Sequence, residues 1–318
     1  MEFHSARQVS PDILENVSYD IAVLASGYEQ RCIYLPAHYN IKAEIKIALA
    51  FKENSKELHR MENDVFLIQH GYRLITISGE HYHDLEPYFL TLLKNNSKKH
   101  LYMLVDYSSM TKVWYSNFIN FLLSDAKWHD FITIHFSYTP AVYNEPKKFS
   151  PVNINNLVSY PCKKGVGSVK PTALIIGLGL DKNCAEYIRK KIQPAVTYLI
   201  YPDPSNDVKN VEKILENNRE LIEQIEVRNL ISFPLFNLEK TDSILTDLCL
   251  NLRVKYNIVI APVGSKVFSL LALLMASRYP DIEVMRISSG TDTSVFDRMP
   301  YGEPLVYSVD FVSDELDA

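Results

Sequence analysis

The sequence contains 318 residues, of which 47% are hydrophobic and 22% are charged, and its formal net charge is -5. This is the composition of a globular protein, and the length is sufficient for two domains. The acidic balance argues against a protein that binds bulk duplex nucleic acid through a general basic surface.

The sequence shows no segment expected to enter a membrane. Its first residues lack the charged and apolar regions of a signal peptide. The longest apolar run, 267–276, is interrupted by Ser269 and is much shorter than the roughly 18 residues of a membrane span. The four cysteines include no CxxC pair, which argues against a structural zinc site. We therefore expect a cytoplasmic protein with reduced cysteines and no membrane association.

Short apolar runs alternate with segments of helical periodicity, which is the pattern of βα units around a mainly parallel sheet. In the first half this pattern predicts strands at 21–25, 45–51, 72–77, 101–105 and 131–137, with helices at 55–69, 85–94 and 112–123. In the second half it predicts strands at 173–176, 196–201, 230–233, 258–261, 282–287 and 305–311, with helices at 182–192, 208–225, 241–252 and 266–276.

A segment rich in Pro, Asn, Lys and Gly separates the two series of elements. The sequence therefore predicts an α/β fold made of two tandem Rossmann-like halves with mainly parallel sheets. The N-terminal domain is expected to span 1–145, a linker 146–170 and the C-terminal domain 171–318. One edge strand is expected inside the linker, near 157–160.

Similar short segments recur at equivalent points of the two halves. A glycine, an acid and a cysteine recur in the same spacing in 27–32 and 179–184, and a hydroxyl residue, Lys, Val and an aromatic recur in 111–114 and 265–268. We interpret these matches as an internal duplication. The alternative is that any two doubly wound domains resemble each other at this level of detail.

The polar loops of both halves are expected at the carboxyl ends of the strands. If the strand order is 3-2-1-4-5, it reverses between the first and fourth strands, and ligands of open parallel sheets bind at such a reversal. In the first half the predicted ligand-binding residues are Gly27, Tyr28, Glu29, Arg31, Asp106, Ser108, Ser109, Thr111 and Lys112. In the second half they are Gly179, Asp181, Gly264, Ser265 and Lys266.

These loops suit an anionic ligand because each leads into a helix, whose first N–H groups have no partner within the helix. Lys112 and Lys266 are then expected to neutralise phosphates, and Arg31 to bind a phosphate through two of its nitrogens. Glu29 is expected to orient Arg31 or a ribose hydroxyl, and Tyr28 or Tyr107 to stack on a base. The structural alternative is that the hydroxyl residues are plain helix N-caps and the lysines are solvated.

Two common site types are disfavoured by their motifs. Neither the phosphate-binding pattern GxxxxGK[ST] nor a full GxGxxG is present, so no dinucleotide or other cofactor is predicted. His81 and His83 are separated by one residue with no third ligand nearby, so we interpret them as part of a surface loop and predict no metal site.

The segment 106–112, Asp-Tyr-Ser-Ser-Met-Thr-Lys, resembles the Asp-x-Thr-Gly-Gly-Thr-Lys loop of CARF domains, which are Rossmann-like sensors of cyclic oligoadenylates. The segment 264–266 looks like a shorter version of that loop, and SAVED domains are similar to two fused CARF units. Two departures are visible: Ser109-Met110 replaces the Gly-Gly pair, and Ala261-Pro262 stands where the second half would carry the acid.

The resemblance implies a module that senses a nucleotide second messenger, of the cyclic oligonucleotide type, in a bacterial antiviral defence or stress system. A partner protein would then carry the effector activity. One alternative is an enzyme that acts on a nucleotide or phosphosugar, a ring-opening phosphodiesterase or a transferase, with Glu29, Asp106 or Asp203 supplying acid–base chemistry. The other alternative is a scaffold subunit of a defence complex. Whether the protein is an enzyme stays open at this stage, and no catalytic residue is assigned.

Overall fold

The computed structural model of the protein describes residues 1–79, 86–125, 129–143, 158–159, 170–205, 207–286, 295 and 297–313. The described chain divides into two compact units, of which unit 1 comprises Met1–Val142 and Val295–Ala318, and unit 2 comprises Tyr143–Ser294. Each unit is built around its own sheet. The segment that contains His81 and His83 lies outside the described residues, as does most of the predicted linker.

Strands and helices alternate through most of the described chain. The strands are β1 (Glu2–Val9), β2 (Ser18–Ser26), β3 (Lys42–Phe51), β4 (Arg73–Ile77), β5 (His100–Asp106), β6 (Phe131–Tyr138), β7 (Val158–Ser159), β8 (Thr172–Gly177), β9 (Val196–Pro202), β10 (Leu230–Phe233), β11 (Asn257–Pro262), β12 (Glu283–Arg286) and β13 (Leu305–Val312). The α-helices are α1 (Ile13–Asn16), α2 (Tyr34–His38), α3 (Arg60–Gln69), α4 (Glu86–Lys94), α5 (Lys112–Asp125), α6 (Cys184–Ile192), α7 (Val208–Asn217), α8 (Arg219–Ile222), α9 (Leu238–Arg253) and α10 (Lys266–Arg278). The α/β class predicted from the sequence is confirmed.

The sheet of unit 1 has seven strands in the order β1-β13-β6-β5-β2-β3-β4. Five of them, β6-β5-β2-β3-β4, pair in parallel, so the predicted order 3-2-1-4-5 is present in this half. The central strand β2 is buried along almost its whole length, as its apolar run Ile21-Ala22-Val23-Leu24-Ala25 requires. Strand order therefore reverses between β2 and β5, where the ligand-binding loops were expected.

The sheet of unit 2 has the order β10-β9-β8-β11-β12-β7. Its first five strands are parallel and again follow the order 3-2-1-4-5, with the reversal between β8 and β11. The short strand β7 pairs antiparallel with β12, and it is the edge strand that was predicted near 157–160. Although both units share this order, the shared order does not establish an internal duplication, which stays a prediction.

The C-terminal boundary predicted from the sequence differs from the structure. The expected strand at 305–311 forms as β13, but it lies in the sheet of unit 1 and not in the C-terminal half. All eight residues of β13 pair antiparallel with β6, and its other side pairs with β1. The local sequence predicts a strand from its apolar residues, but it does not indicate which sheet the strand will join.

Two local features also departed from expectation. Strand β1 was not predicted, because its residues alternate irregularly between polar and apolar and it lies at a sheet edge. The single helix expected over 208–225 divides into α7 and α8 at Asn218. The buried side chain of Asn218 donates hydrogen bonds to the carbonyls of Ile214 (2.8 Å) and Gly179 (3.0 Å), so the division ties this helix pair to the loop after β8.

No helix in the described ranges has the length and apolar character needed to cross a bilayer.

A buried histidine gives unit 1 a testable pH dependence. His135 in β6 is buried, and its Nδ1 lies 2.8 Å from the hydroxyl of Tyr19. Burial lowers the pKa of His135 from its ordinary value of 6.5 to about 4. Between these two values the unfolded chain binds a proton that the folded chain does not, so stability is complete above about pH 6.5 and falls as the pH drops toward 4.

We expect this group to contribute about 3 kcal/mol to the loss of stability of unit 1 between pH 7 and pH 4. The measurement is urea unfolding followed by tryptophan fluorescence, since both tryptophans, Trp114 and Trp128, belong to unit 1. His135→Asn should flatten the pH dependence, and His38→Asn, at an exposed histidine, should leave it unchanged. An unaltered slope in His135→Asn would contradict this assignment.

Candidate ligand-binding site

Two loops of unit 1 meet where its strand order reverses. The loop after β2 carries Glu29, and the loop after β5 carries Ser109. The Ser109 hydroxyl donates a hydrogen bond to Oε2 of Glu29 over 3.1 Å, although the two residues lie 80 positions apart. The predicted convergence of these two loops is therefore present in unit 1.

The Glu29 carboxylate joins three segments of unit 1. Besides Ser109, it accepts a hydrogen bond from Nε of Arg31 at 2.7 Å on Oε2, and one from Nη1 of Arg298 at 3.0 Å on Oε1. Glu29 is 8% exposed, so its charge is compensated by these partners with little access to water. The sequence interpretation that Glu29 orients Arg31 agrees with this geometry.

Arg31 lies in the interior and not at an open phosphate position. It is 2% exposed, its Nη1 donates to the carbonyl of Thr139 at 3.4 Å, and its guanidinium lies 5.8 Å from the centre of the Tyr138 ring. Burial by itself lowers the pKa of Arg31, but the charges of Glu29 and Tyr138 and the hydrogen bonds to both together raise it by more, so the pKa lies above its ordinary value. Arg31 is thus the internal counter-ion of Glu29. Its described contacts do not favour the phosphate contact that was expected from the sequence.

The neighbouring residues of the loop after β2 hold its backbone. The buried side chain of Asn63 in α3 donates hydrogen bonds to the carbonyls of Gly27 and Glu29, each at 2.9 Å. The carbonyl of Tyr28 accepts the N–H of His59 at 3.3 Å. Tyr28 is partly exposed, whereas Cys32 is buried and burial raises the pKa of its thiol to about 11.

The loop after β5 uses its polar residues mainly for its own structure. Asp106 accepts hydrogen bonds from the N–H of Ser108, at 3.0 Å, and from the Ser108 hydroxyl. The Ser108 hydroxyl accepts the N–H of Thr139 at 2.7 Å, and both Asp106 and Ser108 are buried. Tyr107 is fully buried and stacks on Tyr138 at 5.3 Å, so the hypothesis that Tyr107 stacks on a base is wrong for this conformation.

The first residues of α5 combine capping with partial exposure. The Thr111 hydroxyl accepts the N–H of Trp114 at 3.3 Å and donates to the carbonyl of Gly79 at 3.1 Å, so Thr111 acts as the N-cap. Ser109 and Lys112 are partly exposed beside it. The structural alternative weighed for these hydroxyls therefore holds for Thr111, while Ser109 and Lys112 keep part of their surface toward solvent.

Four residues of this site were not predicted from the sequence. Asp297 accepts the N–H of Gln30 on Oδ1 at 3.0 Å, and its Oδ2 lies 3.2 Å from Nε2 of His59. The carbonyl of Arg298 accepts the N–H of Arg31 at 3.3 Å. Asp297 and Arg298 lie far along the chain in a segment without periodicity, so no local signal identifies them. For His59 and Asn63 the available signal was two polar residues four positions apart at the start of α3.

The equivalent loops of unit 2 are joined by backbone packing. Gly264 donates its N–H to the carbonyl of Gly177 at 2.9 Å, and a Cβ at position 264 would lie 2.0 Å from the carbonyl oxygen of Leu178. The Ser265 hydroxyl accepts the N–H of Phe268 at 3.2 Å as the N-cap of α10, while Asp181 and Lys266 are partly exposed. In unit 2 the glycines therefore serve the close approach of two loops.

A small cavity of about 120 Å³ lies in unit 2, between the start of α6 and the junction of α7 and α8. Its lining comprises Lys182, Asn183, Glu186, Glu216, Asn217, Asn218, Arg219, Glu220 and Leu221. The usual volume of a pocket for a small organic ligand is roughly 300–1,000 Å³. This cavity is therefore not a candidate nucleotide site. In the described part of the chain, no group of three or more His, Cys, Asp or Glu side chains is placed to hold a metal ion.

We expect Gly264→Ala to destabilise unit 2 by about 3 kcal/mol, because the new methyl group would collide with backbone and not with a movable side chain. Hydrogen exchange at the amides of β8 and β11 measures this loss. Ser265→Ala, which removes only the N-cap in the same loop, should cost about 1 kcal/mol. An equal or smaller effect of Gly264→Ala would show that the two loops separate without cost.

No protein-family model, curated protein or solved structure matches the chain. The function is therefore proposed from the sequence and from the geometry of the site.

Proposed function

We propose that the crevice of unit 1 binds a phosphate-bearing nucleotide ligand, and that the protein is a sensing module for a nucleotide second messenger of the cyclic oligonucleotide type. The resemblance of 106–112 to the CARF loop supports the further proposal that the protein belongs to a bacterial antiviral defence or stress system. The observation that carries the proposal is the hydrogen bond from Ser109 to Glu29. It brings the partly exposed start of α5 next to a charged cluster at the strand-order reversal.

The acids of this cluster are compensated by arginines. Two guanidinium groups, those of Arg31 and Arg298, face the carboxylate of Glu29, and the Asp297 carboxylate accepts the N–H of Gln30 beside them, so the two acids are balanced by the two arginines. The carboxylate that would repel a phosphate is thereby neutralised. Arg298 keeps 46% of its side chain exposed, in contrast to Arg31, and replaces Arg31 in our proposal as the guanidinium that meets the ligand.

The start of α5 adds a second favourable contribution. This helix is 14 residues long, and its N-terminus attracts negative charge by about 0.3–1 kcal/mol. Lys112 is its first residue and Ser109 lies three positions earlier. In this proposal Lys112 neutralises a phosphate and the partly exposed Tyr28 stacks on a base, while the Ser109 hydroxyl, which donates to Glu29, positions the loop. The contacts proposed for unit 2 would involve the partly exposed Lys266 and Asp181.

We expect calorimetry against a panel of cyclic and linear oligonucleotides to detect binding by the full chain. Lys112→Ala should weaken this binding at least about tenfold, since a lost charge-assisted hydrogen bond is worth on the order of 1.5–3 kcal/mol. Lys99→Ala is the matched control, because Lys99 directly precedes β5 and so lies at the opposite end of that strand. Absence of binding across the panel at high micromolar ligand would refute the proposed function.

One observation favours the enzymatic alternative. Nε2 of His59 lies 3.2 Å from Oδ2 of Asp297 and 3.2 Å from the side-chain nitrogen of Gln30, and His59 keeps 39% of its side chain exposed. In the tautomer with a proton on Nε2, Asp297 accepts that N–H. Among the residues that the structure describes, Nδ1 of His59 has no hydrogen-bond partner. Because Glu29 and Asp106 are engaged in internal hydrogen bonds, His59 is a better candidate base than either.

In that alternative, His59 takes the proton of an attacking hydroxyl or water and returns it to the leaving oxygen of a phosphodiester, while Asp297 holds the ring. His59→Asn should then reduce product formation at least about 100-fold while calorimetric binding is retained. Chromatography of the bound oligonucleotide over time measures the reaction, with His38→Asn as the control. No product from the unaltered protein would exclude the enzymatic alternative and leave sensing in place.

A further inference from the structure

Helix α3 carries an apolar stripe on its outer side. Met61, Val65 and Ile68 follow one another at helical spacing and are 66%, 54% and 57% exposed. Leu58, in the turn before the helix, extends the stripe and is also exposed. Single exposed apolar residues are common at protein surfaces, but a contiguous row of four large ones on one helix is the feature of an interaction surface.

The inner side of the same helix holds the proposed ligand site. Arg60, Asn63 and Leu67 are buried there. Asn63 donates to the carbonyls of Gly27 and Glu29, and Arg60 donates to the carbonyl of Phe51 at 2.6 Å. A rigid helix therefore separates the loop that carries Glu29 from the apolar stripe.

The charges beside the stripe are acidic. The only basic residue of α3 is Arg60, which is buried and paired with Asp64 at 2.9 Å. Glu62 is exposed on one flank of the stripe, and Asp64, which accepts hydrogen bonds from Arg60 and Ser26, keeps a quarter of its side chain exposed on the other. Lys56 and Glu57, in the preceding segment, carry opposite charges. A second copy of the chain would place acidic flank against acidic flank, whereas a basic helix would be complementary.

We propose that the outer side of α3 docks an amphipathic helix of a partner protein, with apolar residues on the stripe and Lys or Arg residues beside Glu62 and Asp64. This inference rests on the proposed sensing function only for the role of the partner, which would be the effector that receives the signal. The apolar stripe supplies the contact area, and the acidic flanks select the sign of the partner's charge.

The experiment uses two synthetic helical peptides labelled with fluorescein. Both carry Leu at heptad positions a and d, and the flanking positions are Lys in one peptide and Glu in the other. Fluorescence anisotropy with the full chain should show at least tenfold tighter binding of the Lys peptide. Val65→Asn should weaken that binding at least tenfold. Val227→Asn, the same change at a valine that is 89% exposed in unit 2, should have no effect.

A charge reversal tests the acidic flank separately. Glu62→Lys should weaken binding of the Lys peptide and strengthen binding of the Glu peptide by a few fold each, because Glu62 is exposed and its substitution leaves the fold intact. Equal binding of the two peptides by the unaltered chain would overturn the proposal, as would unchanged binding by Val65→Asn. A dimer in light scattering that dissociates in Val65→Asn would also overturn it, because a second copy would then be the occupant.

The peptide titrations contain no nucleotide, so their outcome is independent of ligand binding. If the oligonucleotide panel fails while the Lys peptide binds, the proposed function is refuted and the docking surface remains. If the panel succeeds while the peptide fails, the sensing proposal remains and the docking surface is refuted.

Discussion

The carboxylate of Glu29 holds together three segments that the sequence keeps far apart. It accepts hydrogen bonds from Arg31 in its own loop, from Ser109 after β5 and from Arg298 before β13. Because Arg31 is almost fully buried, removal of its counter-ion would leave an uncompensated charge in the interior, at a cost of about 3–5 kcal/mol. The shape of the proposed ligand site therefore depends on this one ionised group.

The units use similar loops for different purposes. In unit 1 the contact across the strand-order reversal is made by polar side chains, those of Ser109 and Glu29. In unit 2 the contact is made by backbone at Gly177 and Gly264, where a side chain would not fit. The lysine that begins each helix, Lys112 or Lys266, is partly exposed in both units. This difference is why the proposed function rests on unit 1.

Most of the fold followed from the sequence, because buried parallel strands are continuous apolar runs and their order obeys simple connection rules. The positions of β2, β5, β8 and β11 were predicted on that basis, and the order 3-2-1-4-5, which the sequence analysis took as a condition, is the order observed. The sheet that β13 joins was not predicted, because the pairing of an edge strand depends on which other strand has a free edge in the folded protein.

The sequence predicted which two loops of unit 1 meet, but it did not predict the residues elsewhere in the chain that bind to these loops. The convergence of the loops that carry Glu29 and Ser109 follows from topology alone. Asp297 reaches the N–H of Gln30 from 267 residues away, and no periodicity or motif marks it. Arg31 was expected at the ligand, but sequence does not reveal that a neighbouring carboxylate will draw a guanidinium into the interior.

Hydrogen exchange of Glu29→Gln tests whether Glu29 fastens the segment before β13 to the loop after β2. We predict faster exchange at the amides of Gln30 and Arg31, which donate to Asp297 and Arg298, and also at Val142 and Tyr301, which pair this segment with the residues after β6. Faster exchange confined to 27–31, with Val142 and Tyr301 as protected as before, would contradict it.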